Sequence, residues 1–203
     1  PGLSAAILEP AAPRPEHPWC ASGQPPVIIG VGELSPRKDF ATLIRAFALV
    51  RRQHECRLVI GGRGGQLENL RALAAVLGVS QDVDFPGFRN DPLSFMTHAR
   101  AFALCSRWEG MPVVLIEALG CGTPVVATDC PGGSRELLDD GRLGPLIAIG
   151  DDLALSDALL QLLSTPRDIA ACRAAAQPYE IESATSAYLA AMGLPAFARE
   201  CSP

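Results

Sequence analysis

Short apolar runs alternate with amphipathic segments from Val27 to Ile149. The runs are apolar at nearly every position, as in strands that are covered on both faces. Between them, apolar residues recur at helical spacing, and the first such segment follows a good N-capping residue, Asp39. The predicted strands are 27–31, 57–60, 83–85, 101–105, 124–127 and 146–149. The predicted helices are 40–50, 67–77, 92–99, 112–119, 151–163, 167–177 and 181–192. This alternation predicts an α/β fold, a Rossmann-like doubly wound parallel sheet with C-terminal helices.

The chain divides into an N-terminal extension and one domain. Residues 1–26 contain seven of the 18 prolines, which excludes regular helix or central strand there. This stretch is predicted to be an extended linker, in which Ala5–Leu8 could add a short strand and Trp19 is expected to pack on the core. Residues 27–203 are predicted to form a single domain that includes the C-terminal helices.

Composition narrows the range of functions. Lys and Arg number 17 against 22 Asp and Glu, a net charge of −5, so general nucleic-acid binding is not expected. The seven cysteines include no CxxC pair and no zinc-like spacing to histidine, and they are interpreted as reduced, mostly buried thiols of a cytoplasmic protein without a metal site. No apolar run is long enough for a transmembrane segment.

Two glycine-containing loops follow predicted strands, where ligands bind in such sheets. The first, from Gly30 to Ser35, reads GxGxxS and lacks the third glycine of the dinucleotide fingerprint, so it supports NAD(P) binding only weakly. Arg37 and Lys38 follow it, just before a helix N-terminus that suits an anion. The second loop, Gly61–Gly65, has four glycines and is not a Walker A motif, and either a bound ligand or a tight turn would explain it.

A third loop runs into a helix and carries two glutamates, Glu109 and Glu117. Two carboxylates can accept hydrogen bonds from vicinal hydroxyls, and the free N–H groups between them, at Met111, Val113 and Val114, can hold a phosphate. A site that binds hydroxyls at both ends and a diphosphate in the middle matches the shape of a nucleotide sugar. From spacing alone, a partly buried structural acid at 117 and a capping acid at 109 explain the pair equally well.

Other chemistries fit these loops less well. A glycosidase acid pair fits poorly, because no second acid ends a facing strand. No GxSxG elbow surrounds Ser106, and a Cys105–His98 thiol dyad has little support. A fourth loop, from Thr128 to Glu136, is expected either to add amide donors or to serve only as a connection into a short helix.

Five segments together resemble the C-terminal, donor-binding domain of retaining GT-B glycosyltransferases of family 4, the group 1 transferases. The resemblance covers roughly 27–163, and 179–192 is similar to the closing helix of that family. Its hallmark is two glutamates eight positions apart, here Glu109 and Glu117. The resembling segments are 31–39, 58–64, 85–88, 106–119 and 122–129.

The resemblance implies a role for each candidate residue. Lys38 and Glu109 would be catalytic: the only lysine in the chain would stabilise the departing diphosphate, and Glu109 would contact the donor sugar. Glu117 would contact the ribose, and Phe88 and Arg89 would lie near the base. No metal or other cofactor is expected. The implied substrate-binding residues are Gly32, Arg37, Gly62, Arg63, Phe88, Arg89, Gly110, Met111, Val113, Val114 and Glu117.

One position departs from the family. Glu33 stands where the family usually has arginine, so one of two expected diphosphate cations is replaced by an anion. Either Arg37 or Arg63 compensates, or phosphate binding is impaired. The chain is therefore expected to be the donor half of an enzyme that transfers a glycosyl group, with retention, from a nucleotide sugar to a glycan or glycolipid. The alternatives are a nucleotide-binding module without catalysis and, third, an NAD-dependent or epimerase function.

The resemblance also implies an absent partner. The N-terminal acceptor-binding domain of a GT-B enzyme has no counterpart in residues 1–26, so this chain alone is expected to bind nucleotide without transferring sugar. The full enzyme is expected in the cytoplasm, where it could also associate peripherally with the inner face of the membrane. Its expected role is in polysaccharide biosynthesis.

Overall fold

A computed structural model describes residues 13–194. Its six strands all run parallel in the order β3-β2-β1-β4-β5-β6. The strands are β1 (Val27–Val31), β2 (Arg57–Gly61), β3 (Val83–Gly87), β4 (Ala101–Leu104), β5 (Val125–Thr128) and β6 (Leu146–Ile147). The helices are α1 (Phe40–Arg51), α2 (Leu67–Val76), α3 (Pro92–His98), α4 (Val113–Gly120), α5 (Ser134–Leu137), α6 (Asp152–Ser164), α7 (Ile169–Ala176) and α8 (Ile181–Ala191). The predicted doubly wound parallel α/β fold is confirmed.

Helices cover both faces of the sheet, and this explains the apolar strands. Alternate residues of β1 point to opposite faces: Ile28 joins the core beneath α1, α2 and α6, and Ile29 joins the core beneath α3, α4 and α7. Both side chains are fully buried, so each strand must be apolar on both faces.

The strand order reverses between β1 and β4, which pair directly with Ile28 opposite Ala101. From β1 the chain winds outward to β2 and β3, then returns to β4 and winds the other way. In such sheets, the loops at the carboxyl ends of the two central strands diverge and leave a crevice. The loops after β1 and β4 carry Lys38 and Glu109.

Element boundaries differ from the predicted ones by a few residues. The last strand stops at Ile147 instead of Ile149, and α4 begins at Val113 because Pro112 has the N-cap position. The predicted N-cap of α1 is confirmed, since the Asp39 carboxylate accepts from the Thr42 N–H, and Gly78 closes α2 with a positive φ of 73°.

The part of the N-terminal extension that the structure describes is docked on the domain. Pro18–Cys20 form a single turn of 3₁₀ helix, and Cys20 is buried. Trp19 packs against the core as predicted, with the Arg57 guanidinium 5.4 Å from its ring centroid. The predicted strand Ala5–Leu8 lies outside the described residues. Six cysteines within 13–194 are free thiols, and five of these are buried, as predicted for their placement.

An arginine just before α7 binds the C-terminal ends of α3 and α4. The Arg167 guanidinium donates to the carbonyls of Thr97, Ala99 and Gly122, which lie where α3 and α4 end. Helix C-termini present carbonyls without intrahelical partners and a partial negative charge, so a cation there is stabilising.

Candidate functional site

The crevice between β1 and β4 brings a lysine and a glutamate from distant parts of the chain into contact. The Lys38 Nζ donates to Glu109 Oε1 at 2.5 Å, and Arg37 Nη1 donates to Oε2 at 2.9 Å. The Ser106 hydroxyl also donates to Oε1, at 2.6 Å. The side chains of Lys38 and Glu109 are only 9% and 6% exposed, so this ion pair is largely removed from water.

These donors keep Glu109 ionised. Burial alone raises the pKa of its carboxyl, but the hydrogen bonds from Lys38 and Ser106 and the charges of Lys38 and Arg37 outweigh burial and lower it. The carboxylate is therefore a hydrogen-bond acceptor at neutral pH. It is not the capping acid that spacing alone allowed, because its donors are the side chains of Lys38, Arg37 and Ser106 and none is a backbone N–H of α4.

The loop after β5 supports the loop that carries Glu109. The Glu109 N–H donates to the Pro131 carbonyl at 2.9 Å, and the Gly133 N–H donates to the Gly110 carbonyl at 3.0 Å. Gly132 has a φ of 123°, and a Cβ there would lie 2.4 Å from the Glu109 carbonyl oxygen. Only glycine fits so close to this backbone. The loop after β5 thus holds the backbone of the loop after β4 in place.

The glycine-rich loop after β2 packs on the loop after β1. A Cβ at Gly62 would lie 1.8 Å from the Gly32 carbonyl oxygen, and the Leu34 N–H donates to the Arg63 carbonyl at 2.8 Å. The close approach that the glycines permit is therefore between two backbone segments of the protein itself. This contact accounts for Gly62 without a ligand.

A cavity of about 380 Å³ lies beyond the carboxyl ends of β1, β2 and β3. Five predicted substrate-binding residues line it, together with Glu33 and apolar side chains. Arg63 stacks over the Phe88 ring at 5.7 Å, and Phe88 is 62% exposed. The predicted residues at the cavity are Gly32, Gly62, Arg63, Phe88 and Arg89.

The cavity and the charged cluster adjoin at Gly32. A Cβ at this glycine would lie 3.0 Å from Lys38 Cε, so the lysine stem packs against the backbone of Gly32, which lines the cavity. Its amine is in the cluster with Glu109. A ligand that fills the cavity and extends past Gly32 would meet the lysine.

Helix α4 begins beside Glu109 and presents free amides. Among residues 13–194, no protein group accepts a hydrogen bond from the N–H of Met111 or Val114, whereas the Val113 N–H already donates to the Met111 carbonyl at 2.9 Å. Two of the three predicted amide donors are therefore available, together with the exposed backbone of Gly110. Such amides attract anions.

Glu117 lies in the middle of α4 and is half-buried. Within the described residues, its carboxylate has no hydrogen-bond or ion-pair partner, and burial raises its pKa. A carboxylate partly removed from water without a partner is destabilising, and ionisable groups with a shifted pKa concentrate at functional sites.

Sequence reasoning missed the supports of Glu109. Ser106, Thr128 and Gly132 all lie within resembling or loop segments. The contacts of Thr128 and Gly132 with the Glu109 loop join residues more than 20 positions apart in the chain, whereas Ser106 is only three residues from Glu109. Arg107 also ties the third loop to the first: its N–H donates to the Arg37 carbonyl and its side chain pairs with Asp39 at 2.9 Å. A serine three residues before a candidate acid was the available signal for Ser106.

Comparison with known proteins identifies the domain. The profile of the family described as "Glycosyl transferases group 1" matches residues 18–178. The chain belongs to this family. The match to the group 1 glycosyltransferase family runs from the docked N-terminal turn through α7, and solved relatives place the fold among GT-B folds.

Several relatives of this group 1 domain are known. A Campylobacter jejuni protein is 38% identical over 136 residues, which are 67% of this chain and 37% of that protein. Its name is N-acetylgalactosamine-N,N'-diacetylbacillosaminyl-diphospho-undecaprenol 4-alpha-N-acetylgalactosaminyltransferase. A Mycolicibacterium smegmatis GDP-mannose-dependent alpha-(1-6)-phosphatidylinositol monomannoside mannosyltransferase is 35% identical over 173 residues, which are 79% of this chain and 44% of that protein.

A solved structure gives the same fold. Anabaena Alr3699/HepE in complex with UDP-glucose superposes with a TM-score of 0.75 at 27% identity, over 83% of this chain and 49% of that one. The group 1 domain described here thus spans less than half the length of each of these relatives. No helix within residues 13–194 is long and apolar enough to cross a membrane.

Proposed function

We propose that this chain is the donor-binding half of a retaining glycosyltransferase and that it binds a nucleoside diphosphate sugar. The observation that carries the proposal is the contact of Lys38 with Glu109 at the switch point of the sheet, next to the cavity. A buried cation suits a diphosphate, as do the two free amides, one just before α4 and one in its first turn, and a carboxylate beside that cation suits sugar hydroxyls.

The residues divide into three groups in this proposal. The base lies in the cavity against Phe88 and Arg89, and the diphosphate lies between Lys38 and the amides of Met111 and Val114. Glu117 accepts hydrogen bonds from the ribose hydroxyls, and Glu109 accepts from the donor sugar. Ligand hydroxyls would supply the partners that the Glu117 carboxylate lacks in the protein.

In this proposal the site promotes the reaction by stabilising the nucleoside diphosphate as it leaves the sugar. When the bond between the sugar and the diphosphate breaks, negative charge develops on the diphosphate oxygens. The Lys38 ammonium and the free amides at the start of α4 face that charge in a site partly shielded from water, which strengthens their effect. Glu109 holds the sugar in place during departure.

The substrate partners and location complete the proposal. A GT-B enzyme of this kind transfers the glycosyl group to a glycan or glycolipid bound by a second, N-terminal domain, with residues 1–26 as the connection to it. The names of the relatives include both lipid-linked and phosphatidylinositol acceptors, which supports a cytoplasmic enzyme working at the membrane surface.

Binding titrations test the proposal directly. The 203-residue chain is titrated by calorimetry with UDP, GDP and ADP and with UDP-glucose, GDP-mannose and ADP-glucose. We expect one nucleotide to bind and Lys38→Ala to weaken it by about 30-fold, the loss of a charge-assisted hydrogen bond. Arg71→Ala removes an exposed cation paired with Glu68 on α2 and is the matched control, with no expected effect. Absence of binding by every nucleotide, or an unchanged affinity in Lys38→Ala, contradicts the proposal.

Glu33 supports a second candidate, a nucleotide-binding module without catalysis. This exposed carboxylate lines the cavity where the resemblance implies a phosphate-binding arginine, and Arg37, one possible substitute, is engaged with Glu109. Turnover by the natural full-length protein distinguishes the two functions: nucleotide binding without transfer supports the module. Glu33→Arg would then tighten diphosphate binding.

A further inference from the structure

Ser106 combines complete burial with a direct contact to a candidate sugar-binding group. Its hydroxyl donates to Glu109 Oε1 at 2.6 Å, and the residue is 0% exposed. It ends the run of buried residues that begins with β4, directly before the exposed Arg107. The serine therefore belongs to the rigid core, whereas the carboxylate it holds belongs to the loop.

A second buried hydroxyl fixes Ser106 itself. Thr128 Oγ1, at the end of β5 and also 0% exposed, donates to the Ser106 carbonyl at 2.6 Å. The chain of hydrogen bonds thus runs from the sheet through Thr128 and Ser106 to Glu109. Buried and fully satisfied networks of this kind rigidify the groups they contain.

Hydrogen-bond capacity determines what Glu109 can still do. An ionised carboxylate accepts about four hydrogen bonds, two on each oxygen. Lys38 and Ser106 occupy Oε1, and Arg37 occupies one position on Oε2. One acceptor position is left, on Oε2, and its direction is set by the donors on Oε1 together with Arg37 on Oε2.

We propose that Ser106 is a positioning residue, which orients Glu109 so that the remaining acceptor position of Oε2 receives one hydroxyl of the donor sugar. The inference rests on the proposed function of the site and assigns Ser106 no contact with substrate. Without the serine, Lys38 alone would hold Oε1 and Arg37 alone would hold Oε2, both from the ends of long side chains, so the orientation of the carboxylate would be fixed less strictly.

The test separates sugar recognition from nucleotide binding. Ser106→Ala in the 203-residue chain is titrated by calorimetry with whichever nucleoside diphosphate binds the wild type, and with its sugar nucleotide, from the pairs UDP and UDP-glucose, GDP and GDP-mannose, and ADP and ADP-glucose. We expect about a tenfold rise in Kd for the sugar nucleotide and less than a twofold change for the diphosphate. A disrupted fold would weaken both ligands alike.

Two further variants keep the test decisive. Thr128→Val preserves shape, removes the hydroxyl behind Ser106 and should give a smaller loss confined to the sugar nucleotide. If Ser106→Ala does not fold, Thr128→Val alone tests the inference. Ser156→Ala removes another buried serine hydroxyl, which donates to the Leu153 carbonyl in α6, and should change neither affinity.

The outcomes distinguish this inference from the proposed function. Equal losses for both ligands, or no loss for the sugar nucleotide, in the folded Ser106 or Thr128 variant overturn the role of Ser106 and leave the donor site intact. Failure of the wild type to bind any diphosphate overturns the proposed function, and the inference with it.

Discussion

Glu109 and Glu117 stand eight residues apart and have opposite environments. Glu109 is held by Lys38, Arg37 and a serine hydroxyl, and its pKa is lowered. Glu117 has no partner within the described residues, and burial raises its pKa. The first carboxylate therefore contributes to the stability of the free protein, and the second reduces it. A group that the protein leaves unsatisfied is the one for which a ligand supplies the largest new interaction.

The largest expected effect is on Glu109. Glu109→Ala leaves the buried Lys38 ammonium without its carboxylate, and we expect the free energy of unfolding to fall by about 3 kcal/mol. Urea denaturation at pH 7 measures this. Glu68→Ala, which removes a carboxylate paired with Arg71 on the exposed face of α2, should change stability by about 0.5 kcal/mol or less. Similar losses in the two variants would show that the Glu109 cluster is no stronger than a surface pair.

The pH dependence of stability sharpens the contrast. Because the pKa of Glu109 is lower in the folded state, its stabilisation is fully present above the unfolded-state pKa, about 4.3, and is lost as the pH falls through the folded value. Glu109→Gln should be less stable than wild type by about 2 kcal/mol at pH 7, and the difference should shrink steadily below pH ~4. Urea titrations across this range measure it. A difference that stays constant with pH would mean that the charge of Glu109 is not responsible.

The fold was predictable because its signals are local. Apolar runs such as 27–31 mark buried strands, Asp39 marks the start of α1 and Gly78 the end of α2, and each signal lies within a few residues of the feature it determines. The length of β6 was overestimated by two residues, because residues 148 and 149 are apolar but have no neighbouring strand with which to pair.

The site was predictable only in part. The resemblance indicates Lys38 and Glu109, but their direct contact joins positions 71 residues apart and depends on the order of strands in the sheet. Arg37 is predicted to bind substrate, and in the structure its guanidinium donates to Glu109, a contact that the sequence does not indicate. The glycines of 61–65 predict that this backbone lies close to another group but do not identify that group. In the structure it is the backbone of the loop after β1.

Glu117 provides the smallest effect and the one of opposite sign. Its pKa is higher in the folded state, so the charged form opposes folding at pH values above the folded pKa, and this penalty disappears as the pH falls to the unfolded value. Glu117→Gln removes the charge and should raise the free energy of unfolding at pH 7 by about 0.5 to 1 kcal/mol, as substitutions that relieve a strained site do. Thermal and urea denaturation at pH 7 measure the gain. The same variant should bind the nucleoside diphosphate less tightly, because a neutral amide accepts more weakly from ribose hydroxyls than a carboxylate does. Greater stability with weaker binding would identify Glu117 as a group retained for its ligand, whereas a loss of stability would place it among the structural acids that the sequence alone allowed.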